Sequence, residues 1–169
     1  MKKAVFYDRD GVLNELVPRD GGFYSPRSLS QFKIIKDSKN VTKHTKHCGY
    51  LNIIVSNQPD IKRGFLSKKD LTAMTQQLLK NMIIDDVFYC MHDDGMCDCR
   101  KPLPGLIYAA QKKWNIDLSQ SIMIGDTEKD YLAAKHSNVD FYLVSNDENI
   151  DTNVENRISH ISEILNIIN

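Results

Sequence analysis

Short apolar runs alternate with helix-like segments along most of this chain, and this alternation constrains the fold more than any other feature. The runs are rich in β-branched and aromatic residues, as in strands buried on both faces. They lie at 4–7, 51–56, 86–89, 121–124 and 141–144. Helical spacing of apolar residues predicts helices at about 36–47, 68–82, 104–114, 128–137 and 155–168. Strands alternating with helices predict an α/β fold, a doubly wound, Rossmann-like parallel sheet covered on both faces.

The chain of 169 residues is long enough for one sizeable core and too short for two independent domains, so we expect a single domain over 1–169. Its 22 basic and 22 acidic residues give no net charge and no basic arm, which argues against nucleic acid as a partner. The sequence shows neither a signal peptide nor an apolar run of membrane-spanning length. We therefore expect a cytoplasmic protein that has no membrane partner and acts as a monomer.

Two carboxylates, Asp8 and Asp10, directly follow the first apolar run and precede Gly11. Because side chains at i and i+2 of a strand point the same way, both can aim at one small volume past the strand's end. Such a volume suits Mg²⁺, which proteins hold by one or two carboxylates together with phosphate and water. A carboxylate can also attack phosphorus and form an aspartyl-phosphate. Taken alone, the motif fits an ordinary Asp-Gly turn equally well.

Ligand sites in parallel sheets lie beyond the carboxyl ends of the strands, so other reactive residues should also follow strands. After the second run come a hydroxyl and two amides able to hydrogen-bond phosphate oxygens, Ser56, Asn57 and Gln58, although a polar turn is an alternative. Past the third run come Arg100 and Lys101, two adjacent cations. Arginine offers a planar fork and lysine a point charge, and both can neutralise a phosphoryl group.

The fourth run ends at Gly125 and is followed by Asp126, Thr127 and, further on, Asp130. A third carboxylate at the same rim would complete a Mg²⁺ site with Asp8. Each of these motifs is common by itself. Their occurrence in this order at successive strand ends predicts one site.

Together the motifs DRDG, SNQ, RKP and IGDxxxD resemble the haloacid dehalogenase superfamily of phosphohydrolases over nearly the whole chain. The resemblance implies that Asp8 is the nucleophile and that Asp10 is the acid/base, which protonates the leaving oxygen and then activates water. It also implies a catalytic Mg²⁺ held by Asp8, the backbone carbonyl of Asp10 and Asp126.

The same resemblance implies that Ser56 and Asn57 bind the transferring phosphoryl group and that Lys101 neutralises its charge. Arg100 would help to recognise the substrate, and Thr127 and the loop 20–24 would border it. The gaps between the motifs leave no room for a cap domain. We therefore expect an open cleft shaped by loops.

A second cluster combines Cys90, His92, Cys97 and Cys99 within one short loop. Cytosolic chains seldom use disulfides, so clustered Cys and His more often bind metal. Three thiolates and one imidazole form a closed set that is typical of structural Zn²⁺. The alternative is that Cys90 packs in the core and the CxC motif is fortuitous.

A zinc loop directly before CRKP resembles a small subgroup that contains heptose-bisphosphate and histidinol-phosphate phosphatases. The segments GGFYSP, NQPDIKRG and CRKPLPGLI favour the sugar enzymes. The prediction is a Mg²⁺-dependent phosphatase that removes the 7-phosphate of a heptose 1,7-bisphosphate made for cell-envelope polysaccharide. Histidinol phosphate or another small phosphorylated metabolite is an alternative substrate, since the short zinc loop also fits the histidinol-type enzymes. A noncatalytic zinc-stapled binding module is a remote alternative.

Overall fold

The computed structural model describes residues 1–147, 149 and 153–169. The main sheet contains β1 (Lys3–Tyr7), β4 (Tyr50–Asn57), β5 (Asp86–Cys90), β6 (Ile122–Gly125), β7 (Asp140–Val144) and β8 (Arg157–Ile158). All its strands are parallel, in the order β5-β4-β1-β6-β7-β8. A separate antiparallel pair is formed by β2 (Val17–Arg19) and β3 (Gly22–Tyr24). The predicted parallel α/β fold is confirmed, and each of the five predicted strands lies within one or two residues of its expected bounds.

Within the described residues, five α-helices cover the main sheet: α1 (Ser38–His47), α2 (Lys68–Asn81), α3 (Gly105–Trp114), α4 (Glu128–His136) and α5 (Ile164–Ile167). Buried residues of α1, α2 and α5 form one apolar cluster with Val5 and Tyr7 of β1. Those of α3 and α4 form a second cluster with Ala4 and Phe6. Side chains alternate along β1 between the two clusters, so this strand is buried on both faces and reads as one continuous apolar run.

The position of β1 between β4 and β6 explains where the polar residues meet. Tyr7 is in register with Ile54 of β4 and with Ile124 of β6. The residues that follow these three strands therefore emerge side by side at the carboxyl edge of the sheet. Among the residues that the structure describes, no helix combines the length and apolar character needed to cross a membrane.

The predicted C-terminal helix over 155–168 is wrong in its first half. Arg157 and Ile158 form β8, and the following segment is a short 3-10 turn and the single-turn helix α5. Ile158, Ile161 and Ile164 are buried and have helical spacing, which explains the prediction. The backbone instead pairs with the free edge of β7, where the Ser145 amide donates to the Ile158 carbonyl at 2.8 Å.

The β2–β3 hairpin replaces the loop that was expected at 20–24. Its turn residues Asp20 and Gly21 both have positive φ, at 49° and 80°. Two successive residues with positive φ are typical of the tight turns that match strand twist, and Asp-Gly is a preferred sequence for them. The hairpin places Phe23 and Tyr24 beside the carboxyl edge of the main sheet.

Candidate active site

A cleft of about 360 Å³ opens at the carboxyl ends of β1, β4 and β6. Its wall includes seven of the predicted site residues: Asp8, Asp10, Asn57, Arg100, Lys101, Asp126 and Thr127. The aromatic residues Phe23 and Tyr24 of the hairpin also line it. The structure thus brings together residues from all four sequence motifs.

Lys101 lies at the centre of the charged network. Its Nζ atom donates to Asp8 Oδ1 at 2.7 Å and to the Val55 carbonyl at 2.9 Å, and it also donates to Asp130. The side chain is buried. Burial favours loss of the proton, but the charges of Asp130 and Asp8 outweigh this effect and raise the pKa of Lys101 above its usual value. The lysine is therefore held as a cation beside Asp8.

The carboxylates around Lys101 repel one another. Burial is the largest cause that raises the pKa of Asp8 to about 6; Lys101 opposes the rise, and Asp130 and Asp10 add to it. The pKa of Asp126 is raised well above its usual value, first by burial and then by the charge of Asp8. The carboxylates of this site carry more negative charge than Lys101 neutralises. The site therefore favours binding of a further cation.

The donor set fits a hard divalent cation such as Mg²⁺. Carboxylate oxygens of Asp8, Asp126 and Asp130 lie within 4.8 Å of one another. Asp126 Oδ1 is buried without a hydrogen-bond partner, which is costly unless an ion or water satisfies it. Oxygen ligands are those that Mg²⁺ prefers. The structure thus supplies an acidic pocket in which one carboxylate oxygen, Asp126 Oδ1, has no hydrogen-bond partner.

Gly11 explains how Asp126 reaches this position. Gly11 has a φ of +85°, and a Cβ atom there would lie 2.1 Å from Asp126 Oδ2. Only a glycine accommodates both the backbone angle and the close approach of the carboxylate. The Gly11 of the DRDG motif is thus needed for the geometry of the acidic cluster.

Asp130 is the carboxylate of this cluster that the predicted ligand set did not include. Its Oδ2 accepts from the Thr127 hydroxyl at 2.5 Å and from the Thr127 amide at 3.1 Å, in a capping box at the start of α4. The signal was present in the IGDxxxD motif, where Asp130 follows Asp126 by four residues. Thr127 itself lines the cleft, and its contact with a substrate stays a prediction.

The side chain of Asp10 points to a different set of partners. Arg9 donates to both of its oxygens, at 2.8 and 3.0 Å, and the side chains of Asn14 and Gln58 donate at 2.9 and 2.7 Å. Burial raises the pKa of Asp10, but the Arg9 charge and these hydrogen bonds outweigh it and hold the pKa below its usual range. Arg9 and Asn14 were not predicted as partners of this carboxylate.

The three polar residues at the end of β4 hold the site together. Ser56 is buried, and its hydroxyl accepts from Gln58 Nε2 at 3.2 Å. The Asn57 side chain donates to the Lys101 carbonyl and accepts from the Lys101 amide, both at 3.0 Å. Asn57 thus fastens the backbone of Lys101 to β4. That Ser56, Asn57 and Gln58 bind phosphate stays a prediction.

Arg100 connects the cleft to the loop after β5. Its Nε donates to Asp94 at 2.7 Å, and a second nitrogen donates to the His92 carbonyl at 3.2 Å. Asp93 of the same loop pairs with Arg63, whose nitrogens donate at 3.0 and 2.6 Å. The position of Arg100 therefore depends on the conformation of the loop 91–99.

This loop and Cys90, the last residue of β5, carry the predicted Cys and His cluster. The sulfur atoms of Cys90, Cys97 and Cys99 lie 3.2 to 3.5 Å apart, and His92 Nδ1 lies 3.5 Å from Cys99 and 3.6 Å from Cys90. A tetrahedral zinc site with Zn–S bonds of about 2.3 Å has edges of about 3.8 Å between sulfurs. All three cysteines are free. The four side chains form a compact group that could hold a metal ion.

The parallel sheet, the acidic cleft at its carboxyl edge and the buried lysine beside the first aspartate define a hydrolase-type site. The family model described as haloacid dehalogenase-like hydrolase matches residues 26–144. The chain belongs to this family, as the motifs predicted.

Curated relatives are similar over most of the chain. A D-glycero-beta-D-manno-heptose-1,7-bisphosphate 7-phosphatase of Helicobacter pylori is 38% identical over 144 residues, which cover 81% of this chain and 80% of the relative. A D-glycero-alpha-D-manno-heptose-1,7-bisphosphate 7-phosphatase of Campylobacter jejuni is 28% identical over 169 residues, covering 97% and 94%. These relatives are named for opposite anomers of one sugar.

Among solved structures, the D,D-heptose 1,7-bisphosphate phosphatase from B. bronchiseptica complexed with magnesium and phosphate has a TM-score of 0.84 to this chain. It covers 98% of this chain and 97% of its own, at 23% identity. At this identity the similarity supports the fold.

Proposed function

We propose that this chain is a phosphatase that removes the 7-phosphate of D-glycero-D-manno-heptose 1,7-bisphosphate in carbohydrate metabolism. The main support for phosphatase chemistry is the buried hydrogen bond of 2.7 Å from Lys101 Nζ to Asp8, at the end of β1. Oδ1 of Asp126, in the same acidic cluster, has no hydrogen-bond partner. The substrate rests on the names of the relatives. These names favour a heptose over histidinol phosphate.

In the first step an Asp8 oxygen attacks phosphorus in line with the sugar oxygen. The bond between phosphorus and that oxygen breaks, its electron pair stays on the sugar oxygen, and Asp10 gives the oxygen a proton. The products are heptose 1-phosphate and an aspartyl-phosphate on Asp8. In the second step Asp10 takes a proton from water, whose oxygen attacks phosphorus and releases inorganic phosphate and the Asp8 carboxylate.

Charge stabilisation is the main requirement of phosphoryl transfer, because little covalent chemistry is left to the protein. Lys101 is fixed as a cation beside Asp8 and neutralises the charge of the equatorial oxygens. The Ser56 hydroxyl binds the phosphoryl group, and Asn57 does so through the second hydrogen of its side-chain amide, since one hydrogen bond of that amide goes to the Lys101 carbonyl. Mg²⁺, when held by Asp8, Asp126 and the backbone carbonyl of Asp10, supplies further positive charge at the transferring group.

Hydrogen bonding sets the protonation state of Asp10 before substrate binds. Arg9 holds Asp10 as the carboxylate, which is the form that accepts a proton from water. A substrate phosphate brings negative charge next to this carboxylate, and like charge raises a carboxyl pKa. Substrate binding thus favours the protonated form of Asp10 that the first step requires.

Cys90, His92, Cys97 and Cys99 hold a structural Zn²⁺ in this proposal. The distances between their ligand atoms support it, and the complete set of four ligands leaves no open position for substrate. Because the loop also carries the partner of Arg100, the metal would fix one wall of the cleft. Arg100 and Thr127, which both line the cleft, contact the sugar phosphate in this proposal.

Several accompanying expectations stay predictions. We propose that residues 1–169 act as one domain, supported by the single main sheet that receives strands from both ends of the chain. The monomeric state, the cytoplasmic location and the lack of nucleic-acid and membrane partners rest on the sequence.

The test is phosphate release with Mg²⁺ from both anomers of heptose 1,7-bisphosphate, histidinol phosphate and an aryl phosphate, with Asp8→Asn as the control. We expect one heptose anomer to have the highest kcat/KM and the Asp8→Asn variant to be inactive. A higher kcat/KM for histidinol phosphate would refute the substrate, and full activity of Asp8→Asn would refute the nucleophile. No activity of the wild type on any member would favour a noncatalytic binding module.

A further inference from the structure

Arg9 is a charged residue that neither lines the cleft nor reaches solvent. It is 0% exposed, and its only ion pair among the described residues is with its neighbour Asp10. The Nε and Nη2 atoms donate to Asp10 Oδ1 at 3.0 and 2.8 Å, and Nη2 also donates to Oδ2 at 3.0 Å. The guanidinium lies 5.9 and 5.8 Å from the ring centroids of Phe32 and Tyr89. Its own position is therefore restricted by aromatic side chains.

Two amides complete the group around Asp10. With Asn14 and Gln58, the two carboxylate oxygens accept five hydrogen bonds in total. Gln58 also accepts from Arg9 at 3.2 Å and donates to Ser56 at 3.2 Å. Arg9 is thus the centre of a connected network that runs from Asp10 to the hydroxyl at the end of β4.

Stability alone does not account for this buried pair. Removing two charges from water costs about as much as their attraction returns, and apolar residues of similar volume often stabilise a fold equally well. What a guanidinium adds is geometry, because its fork fits a carboxylate when the two planar groups are aligned. A lysine or an amide cannot impose that orientation on both oxygens.

We propose that Arg9 is a positioning residue that sets the orientation of Asp10 for proton transfer. This inference rests on the proposed function, in which Asp10 is the acid/base. Arg9 does not line the cleft, so it acts on the reaction through its partners, and three of its four side-chain hydrogen bonds go to Asp10 and one to Gln58. Gln58 supports the same orientation from the other side of the carboxylate.

The proposal predicts a dependence on the leaving group. An alkoxide such as the sugar oxygen leaves slowly without a proton, whereas a nitrophenolate leaves well without one. General acid catalysis contributes about 10² to 10⁴ in rate where the proton is needed. A misplaced Asp10 should therefore slow the cleavage of alkyl phosphates much more than that of nitrophenyl phosphate. A loss of folded protein would slow both by the same factor.

The experiment compares kcat/KM of wild type, Arg9→Gln and Arg9→Lys for the heptose bisphosphate, methyl phosphate and nitrophenyl phosphate. The parameter kcat/KM reports the steps up to departure of the leaving group. For Arg9→Gln we expect a fall of about 100-fold with both alkyl phosphates and less than about fivefold with nitrophenyl phosphate. The inhibition constant of inorganic phosphate should change by no more than roughly twofold. Arg9→Lys should recover part of the loss, because it restores the charge without the fork.

Two further variants keep the test decisive. Gln58→Leu removes one donor to Asp10. It should shift the ratio of kcat/KM for alkyl phosphates to that for nitrophenyl phosphate in the same direction, by a smaller factor. If the Arg9 variants do not fold, this variant tests whether the orientation of Asp10 matters. Leu78→Ala in α2 leaves a core cavity at a residue outside the hydrogen-bond network of Asp10 and should leave the ratio unchanged. Equal losses on alkyl and aryl phosphates in the Arg9 and Gln58 variants would overturn the proposal. A wild type active on methyl and aryl phosphates without preference for heptose would refute only the substrate assignment, and inactivity on all three would overturn both.

Discussion

Gly11→Ala tests whether the approach of Asp126 to the DRDG turn is needed for catalysis. The new Cβ would lie 2.1 Å from Asp126 Oδ2 and 2.6 Å from Cγ, whereas ordinary contacts begin at 3.4 Å. The carboxylate must therefore move by about 1.3 Å (3.4 minus 2.1) from its place in the acidic cluster. A displacement of about 1 Å in a catalytic group can cost about 10² in rate. We expect kcat/KM to fall by about that factor and the Mg²⁺ concentration for half-maximal activity to rise.

Gly49→Ala is the matched control. Gly49 has a φ of +84°, close to the +85° of Gly11, and its added Cβ would meet only Lys3 at 3.8 Å. Both variants carry the same backbone cost, about 1–2 kcal/mol for an L-residue in the left-handed region. Both should therefore lose a few degrees in melting temperature, roughly 2–4 °C per kcal/mol for a chain of this size. If Gly11→Ala kept the activity and Mg²⁺ response of Gly49→Ala, the steric argument would be wrong.

The remaining predictions concern Asp8, the proposed nucleophile, and the Cys and His cluster, the proposed zinc site. Burial raises the pKa of Asp8 from 3.8 to about 6, so the metal-free protein loses stability as pH rises through this interval, because the folded state keeps the proton longer than the unfolded chain. Asp8→Asn removes this loss of stability. In EDTA, the melting temperature of the variant should exceed that of wild type at neutral pH, and the difference should vanish near pH ~4. A melting temperature below that of wild type at neutral pH would contradict the predicted direction. Metal analysis should find zinc bound to the four-ligand cluster, and its removal by a chelator or by Cys99→Ser should lower the melting temperature, while Cys48→Ser, outside the cluster, leaves both unchanged. Freshly purified, folded protein without zinc would refute this assignment.

The parts of the site that could be predicted depend on local patterns. The buried strands are visible as apolar runs because parallel strands bury both faces, and the positions after them follow from the strand ends. The cluster of Cys90, His92, Cys97 and Cys99 is visible because its members lie within ten residues of one another. The hairpin β2–β3 could also have been predicted, since Asp20-Gly21 is a turn signal.

Other features required knowledge of which elements pack together. The spacing of Ile158, Ile161 and Ile164 fits a helix, and only the free edge of β7 selects a strand for the first of them. Asn57 has the residue type of a phosphate ligand, but the proximity of the Lys101 backbone gives its side chain two other hydrogen bonds. Such competition between partners is absent from the sequence.

The sequence by itself determined the α/β class, the order of the four motifs and which acidic, basic and sulfur side chains are candidates for the two sites, because each depends on residue type and short-range spacing. Only the tertiary structure decided how these groups share charge. In the tertiary structure Lys101 forms ion pairs with Asp8 and Asp130, and Arg9 forms an ion pair with Asp10. One carboxylate oxygen of Asp126 has no hydrogen-bond partner. The physical reason is that electrostatic and hydrogen-bond energies depend on distance and burial, and both are set by the packing of strands that are far apart in the chain.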